Sequence, residues 1–368
     1  MTFFYFLTII GVMVTVAGCK QTAKNKTTTT AQGAMAEDSL RYPGEKYLRN
    51  IRQLTFGGNN AEAYFSFDNS KLVFQSDYKM WGVECDQIFV MGIDDDTRRN
   101  RPQMISTGKG RTTCAFFLPG DTLILYASTH EGGDSCPPVP ERPDGKYVWP
   151  IYEDYDIYVA DLQGRIVKKL TDTPGYDAEA TVSPQGDKIV FTSMRTGDLE
   201  LFIMDIDGNN VRQLTNTLGY DGGAFFSPDG KQIVFRASRP STPEEIDEYK
   251  TLLAQGLVQP TEMEIFVINT DGTGLRQVTN LGKANWAPYF HPDGKRILFS
   301  SNHASERGFQ FNIYMINVDG TGLEQITFDS VFDAFPMFSW DGKYLVFSSN
   351  RHNNGTYDTN VFIAEWVE

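Results

Sequence analysis

A five-residue phrase, Ser-Pro-Asp-Gly-Lys, returns along this chain, each time followed by a short apolar run. It stands as Ser227-Pro228-Asp229-Gly230-Lys231, with near copies beginning at Ser183, His291 and Ser339 and fainter ones at Ser66 and Leu118. A repeated unit that cannot bury its own apolar face must stack on its neighbours, so the repeat decides the architecture. Pro184 and Pro228 lie 44 residues apart, about the length of a four-stranded propeller blade. Each unit carries four strand signals, as in Ala224–Ser227, Gln232–Phe235, Glu264–Ile268 and Leu275–Thr279. Asp-Gly pairs at Asp207, Asp271 and Asp319 supply the left-handed residues that close the last hairpin of a unit.

Six fourth strands are expected, at 51–55, 102–106, 167–171, 211–215, 275–279 and 323–327. The array thus opens on a fourth strand and ends on a third, Asn360–Trp366. That offset lets the first strand complete the last blade and leave no unpaired edge. The expected fold is an all-β, six-bladed β-propeller over residues 46–368, closed by its N-terminal strand and carrying one short helical insertion.

The Leu-Thr, Ser-Pro-Asp-Gly-Lys, Phe-x-Ser-x-Arg and Ile-Tyr-x-Ile-Asn-x-Asp-Gly series resembles the TolB-like, WD40-like propeller repeats of bacterial periplasmic proteins. The resemblance implies the fold and an envelope compartment, with a partner in envelope assembly. TolB proteins also have an N-terminal α/β domain, for which residues 20–45 are too short, so the specific partner does not carry over. Propellers host many activities, and function has to be argued from a site.

The 368 residues are 40% hydrophobic and 13% aromatic, enough for a large core, and the formal charge of −14 argues against nucleic acid as a partner. Residues 3–18 form an uncharged apolar run ending Val16-Ala17-Gly18-Cys19. It is shorter than the ~20 residues of an ordinary membrane span and fits an export signal. The ending resembles the bacterial lipobox, which implies lipidation of Cys19, although no Lys or Arg precedes the apolar run. The expectation is a lipoprotein signal peptide over 1–18, a flexible tether over 19–45, and a monomer whose only membrane contact is its lipid. By the same resemblance, Lys20 after the cysteine favours the outer membrane, with the protein facing the periplasm.

The Pro-Asp-Gly and Asp-Gly turns fall on one face and are short. Insertions gather on the other face, the longest being Thr129–Asp154 and Ser238–Glu262. Long loops on one rim of a rigid scaffold are the layout expected for binding. In the second long insertion, Thr242, Pro243 and Glu245 form a capping box, and Ile246, Tyr249, Leu252 and Leu253 fall on one helical stripe. In the first, four prolines between 137 and 143 stiffen a segment followed by Tyr147, Trp149, Tyr152 and Tyr155. Both resemble insertions in propellers that some bacteria fuse to peptidase domains.

Two polar rings follow from the register. One holds Tyr78, His130, Arg195, Arg239, His303 and Arg351, and the other Asn60, Thr112, Asp177, Asp221, Asn285 and Asp333. Asp177, Asp221 and Asp333 are expected to meet Arg195, Arg239 and Arg351 in charge-assisted bonds that tie neighbouring blades together. Alternatively, some ring members join Glu62, Arg111, Glu179 and Trp286 in lining the channel mouth. Cys85, Cys114 and Cys136 share this face, and a disulfide from Cys114 to either of the others is expected in an oxidising compartment. A Cys/His metal site with His130 is the lesser alternative, and no metal or cofactor is expected.

The chain has no Gly-x-Ser-x-Gly elbow, His-Glu-x-x-His helix or Gly-rich phosphate loop. The reading is a non-catalytic module that presents a protein, peptide or envelope polymer on its looped face. Its rival is a hydrolase or lyase acting on a saccharide or peptide, with His130 or His303 and Glu131 or Asp177 as acid and base.

Overall fold

The computed structural model describes residues 38–368 apart from 142, 307 and 354. Cys19 and the apolar run before it lie outside the described residues. Six antiparallel four-stranded sheets form the blades of a β-propeller. Blade 1 runs Asn60–Phe65, Lys71–Ser76, Gln87–Gly92 and Gln103–Met104 from the channel outward, and blades 2 to 5 repeat that order. In blade 6 the outer place is taken by Leu48–Gln53, which pairs with Asn360–Trp366 and closes the ring.

The repeated phrases are local hydrogen-bond devices. In the first hairpin of blade 4, Ser227 Oγ donates to Asp229 at 2.6 Å and accepts the Gln232 N–H at 2.9 Å, while Gly230 takes a φ of 72°. Ser339 and Asp341 repeat this bond at 2.7 Å in blade 6, and the His291 ring takes the serine's place in blade 5 by accepting the Asp293 N–H at 3.2 Å. The Leu-Thr phrase pins the outer strand. Hydroxyls of Thr55, Ser106, Thr171, Thr215, Thr279 and Thr327 each accept a third-strand N–H at 2.8 or 2.9 Å. That bond holds in place outer strands whose paired stretch is only two residues long in four blades. Between the blades the core is close-packed aliphatic and aromatic, with Phe74, Phe89, Phe191, Phe235 and Phe347 completely buried.

Residues 38–45, expected as tether, are packed instead. Asp38 accepts the Ile51 N–H at 2.9 Å, and Glu45 is buried against Arg351 at 2.9 Å. The propeller unit accordingly begins at Asp38.

Candidate functional site

Each innermost strand is broken at the same place. Pairing with the second strand slips between Ala61 and Tyr64 in blade 1, and at the corresponding step in the other five. The residue inside each bulge is left-handed: Glu62, Cys114, Glu179, Gly223, Ala287 and Phe335, with φ between 46° and 59°. Such a bulge turns a side chain out of the strand's alternation, here into the channel. For residues other than glycine it costs roughly 1–3 kcal/mol each, a strain that concentrates at functional sites. All six line one cavity of about 460 Å³. Neighbouring blades take up the N–H groups freed at these bulges. Gln75 Oε1 accepts from Cys114 at 3.2 Å, and Ser300 Oγ from Phe335 at 3.0 Å.

Two residues further along the strands, aromatic rings close the channel. Tyr64 meets Phe116 at 5.7 Å and, across the axis, Phe225 at 5.5 Å, while Phe225 meets Tyr289 at 5.1 Å. The cavity therefore has a floor and opens toward the looped face.

Its roof comes from the two long insertions, which pair with each other. Trp149–Pro150 of blade 2 forms a two-stranded ribbon with Leu257–Val258 of blade 4, passing over blade 3. The Ile151 N–H extends the ribbon to the Gly256 carbonyl at 2.7 Å. The capping-box helix, Pro243–Leu253, forms as expected and buries Tyr249 and Leu252. The Tyr249 hydroxyl donates to Asp198 on blade 3, and Lys146 pairs with Glu248 between the insertions. Trp149 packs on Trp286 at 5.1 Å, and Trp286 Nε1 donates to the Pro260 carbonyl at 2.8 Å. A Cys85–Cys136 disulfide ties the root of the first insertion to the blade 1 loop.

The polar content of the cavity is asymmetric. Arg236 leaves the second strand of blade 4 and crosses the first, where Gly223 leaves it room; a Cβ on Gly223 would lie 1.8 Å from its Nη1. Its Nη2 donates to Glu179 at 3.0 Å and to the Tyr220 hydroxyl at 2.7 Å, and the guanidinium lies over Trp149 at 5.2 Å. Glu179 also accepts from Tyr176 at 3.2 Å, from the Tyr220 hydroxyl and from the Gly223 N–H. At the rim, Arg111 pairs with Asp86 at 2.6 Å.

Glu62 has no such company. Its carboxylate accepts the Cys114 thiol at 2.9 Å and the Tyr64 hydroxyl at 3.4 Å. Loss of water pushes its carboxyl up to about 7; the Cys114 bond opposes that rise and the Glu179 charge adds to it. Burial, followed by the Glu62 and Glu179 charges, holds the Cys114 thiol far above its ordinary range.

Of the residues expected at the channel mouth, Glu62, Arg111, Glu179 and Trp286 line the cavity. The others do not. Asp177–Arg195 at 3.0 Å, Asp221–Arg239 at 2.5 Å and Asp333–Arg351 at 2.8 Å are ion pairs within single blades, not ties between neighbours. Each joins the start of a blade's first strand to the loop just after its second, and those two ends lie side by side in the hairpin. His130 and His303 occupy the arginine's slot in their own blades. Each ring packs on the third-strand tyrosine, Tyr158 or Tyr314, and bonds Ser128 at 3.0 Å or Ser301 at 2.9 Å. Glu131 pairs with Lys169 at 2.8 Å. The expected acid–base pairing of these histidines with Glu131 or Asp177 at the channel mouth is therefore not assembled. Cys114, expected in the disulfide, is a free thiol, because its bulge turns it toward Glu62. Among the described residues no group of three or more His, Cys, Asp or Glu is placed to hold a metal ion.

Arg236, Tyr176, Tyr220 and the ring role of Cys114 were not anticipated. The signal for the ring was present: all six members stand five residues before the turn position that defines the repeat.

No protein-family model and no curated protein matches the sequence. Solved structures show the same TolB-like propeller. A putative TolB from Agrobacterium tumefaciens superposes with a TM-score of 0.56 at 19% identity, covering 84% of this chain and 91% of that one. TolB from Acinetobacter baumannii gives 0.51 at 17% identity, covering 84% and 63%. Kuenenia stuttgartiensis hydrazine synthase gives 0.51 at 16% identity, covering 73% and 38%.

Proposed function

We propose that this TolB-like propeller is a non-catalytic binding module of the bacterial envelope. Its looped face holds a protein, peptide or polymer strand, one end of which seats in the roofed cavity. The observation that carries this reading is the ribbon between Trp149–Pro150 and Leu257–Val258. Two insertions that merely covered their own blades would have no need to meet; joined, they wall a blind pocket with aromatic side chains above a polar ring. The four most exposed large apolar side chains among the described residues agree with it. Met80, Val139, Phe309 and Tyr357, between 59% and 95% exposed, all lie in loops of this same face.

Export and lipidation at Cys19 belong to the proposal and rest on the Val16-Ala17-Gly18-Cys19 ending. The hydrolase or lyase reading has nothing comparable, since His130 and His303 stand outside the cavity.

The test is capture from envelope extracts by the tethered protein and by a variant whose residues 240–262 are replaced with a short Gly-Ser linker. The proposal expects a partner held by the intact protein and lost from the variant. Equal capture by both would point to a scaffold that works without its roof and would overturn the reading.

A further inference from the structure

The charges of the cavity do not balance, and the residue left over points to the kind of group that fills it. Arg236 and Glu179 cancel, as do Arg111 and Asp86. Glu62 remains, on the blade opposite the one that supplies Arg236, with a weak thiol donor and a long phenol contact in place of a cation. A carboxylate half-buried in a narrow pocket with no cation in contact is costly unless something else brings the charge. The backbone that aims it there is itself strained, with a φ of 53° at a non-glycine residue.

The second mismatch lies across the cavity. Arg236 is 7% exposed, and its Nε finds no acceptor in the protein. The Glu179 and Tyr220 bonds occupy Nη2 and Nε is sealed from the cavity, so Nη1, beside the cavity-lining Gly223, is the donor left for an occupant. One side of the pocket therefore lacks a cation and the other lacks a hydrogen-bond acceptor, with aromatic rings between them that favour a positive charge.

Building on the binding role proposed above, we propose that the cavity is an ammonium subsite. Glu62 takes the charged amine of the bound chain, and Arg236 donates to a carbonyl close behind it. A peptide amino terminus offers both groups within one residue. A lysine side chain offers the same ammonium at the end of an apolar stem, without the adjacent carbonyl.

Calorimetric titration of the purified protein with three tripeptide amides separates these sources: Ala-Phe-Ala with a free amino terminus, its N-acetylated form, and N-acetyl-Ala-Lys-Ala. The free amino terminus is expected to bind at least about tenfold more tightly than the acetylated peptide, the difference made by one desolvated charge-assisted pair. Glu62→Gln, with melting temperature and circular dichroism checked, is expected to erase that preference and leave the acetylated peptide's affinity unchanged. Glu131→Gln, outside the cavity, is expected to keep it. Tight binding of the lysine peptide instead would uphold the ammonium site and assign it to side chains. Equal affinities for all three, a preference that survives Glu62→Gln, or no measurable binding would overturn it. Capture from extracts by the intact roof would in those cases still stand, so failure of the subsite is distinguishable from failure of the binding role.

Discussion

Two arginines are buried among the described residues of this propeller, and their surroundings differ in a way that separates structure from function. Arg351 in blade 6 is completely buried between two carboxylates, with Glu45 at 2.9 Å and Asp333 at 2.8 Å, and its Nη1 also reaches the Leu40 carbonyl at 3.0 Å. Its Nε donates to Ser349 at 3.1 Å, so every nitrogen is engaged. Arg236 in blade 4 faces one carboxylate, keeps an unpaired Nε and borders a cavity. A saturated charge locks elements together, whereas an unsaturated one beside open space is available to a ligand.

The comparison is broken most severely at Arg351. Arg351→Ala leaves Glu45 and Asp333 buried without a counter-charge and releases the segment that begins the ring. A loss of about 3–5 kcal/mol is expected, read by denaturant titration with loss of the 38–45 packing. Arg236→Ala is expected to cost less, about 2 kcal/mol, because Glu179 keeps two tyrosine hydroxyls and the Gly223 N–H. If it proved as destabilising as Arg351→Ala, the two sites would not differ in kind. Gly223→Ala, which forces a methyl against Arg236 at a φ of 59°, is expected to lower stability by about 1 kcal/mol and to weaken ligand capture more than stability.

A pH dependence at Glu62 sharpens the comparison from the other side of the cavity. Its neighbours are Cys114 and Tyr64, and Glu179, Arg236 and Asp86 act on it through the cavity. Its folded-state value near 7 lies above the ordinary 4.5, so between those values the folded protein binds more protons than the unfolded chain. This group therefore opposes stability increasingly as pH rises from about 4.5 to about 7. Glu62→Gln is expected to gain melting temperature over the wild type above pH 7 and to lose that advantage near pH 4.5, a difference calorimetry at the two pH values would resolve. No gain at the higher pH would mean that water or a counter-charge reaches the carboxylate.

The fold was legible in the sequence because its signals are local. The Ser-Pro-Asp-Gly turns and the Thr242–Glu245 cap each act over two to five residues. The ring closure was legible as well, from the offset between the first strand and the last. The roof was not. It rests on two strands of two residues each, Trp149–Pro150 and Leu257–Val258, which have no strand pattern of their own and meet only once the ring has formed. Site residues divided along the same line. Glu62 and Glu179 could be found from the register, but strand alternation alone gives Arg236 no path to the channel, since its route depends on Gly223 in the adjacent strand. The sequence places all three cysteines on one face but does not say which way a bulge turns, so it does not distinguish the free Cys114 from the bonded Cys85 and Cys136.

The junction of Leu48–Gln53 with Asn360–Trp366 bears on how the molecule comes into being. Its paired residues stand some three hundred positions apart, so forming it carries a large loop-closure penalty. Five sectors can assemble from nearest neighbours as synthesis proceeds, but the sixth must wait until Asn360–Trp366 has been made. Until that late zippering, the unfinished arc exposes a raw strand edge at each extremity, and it is over this interval that a chaperone has most to protect.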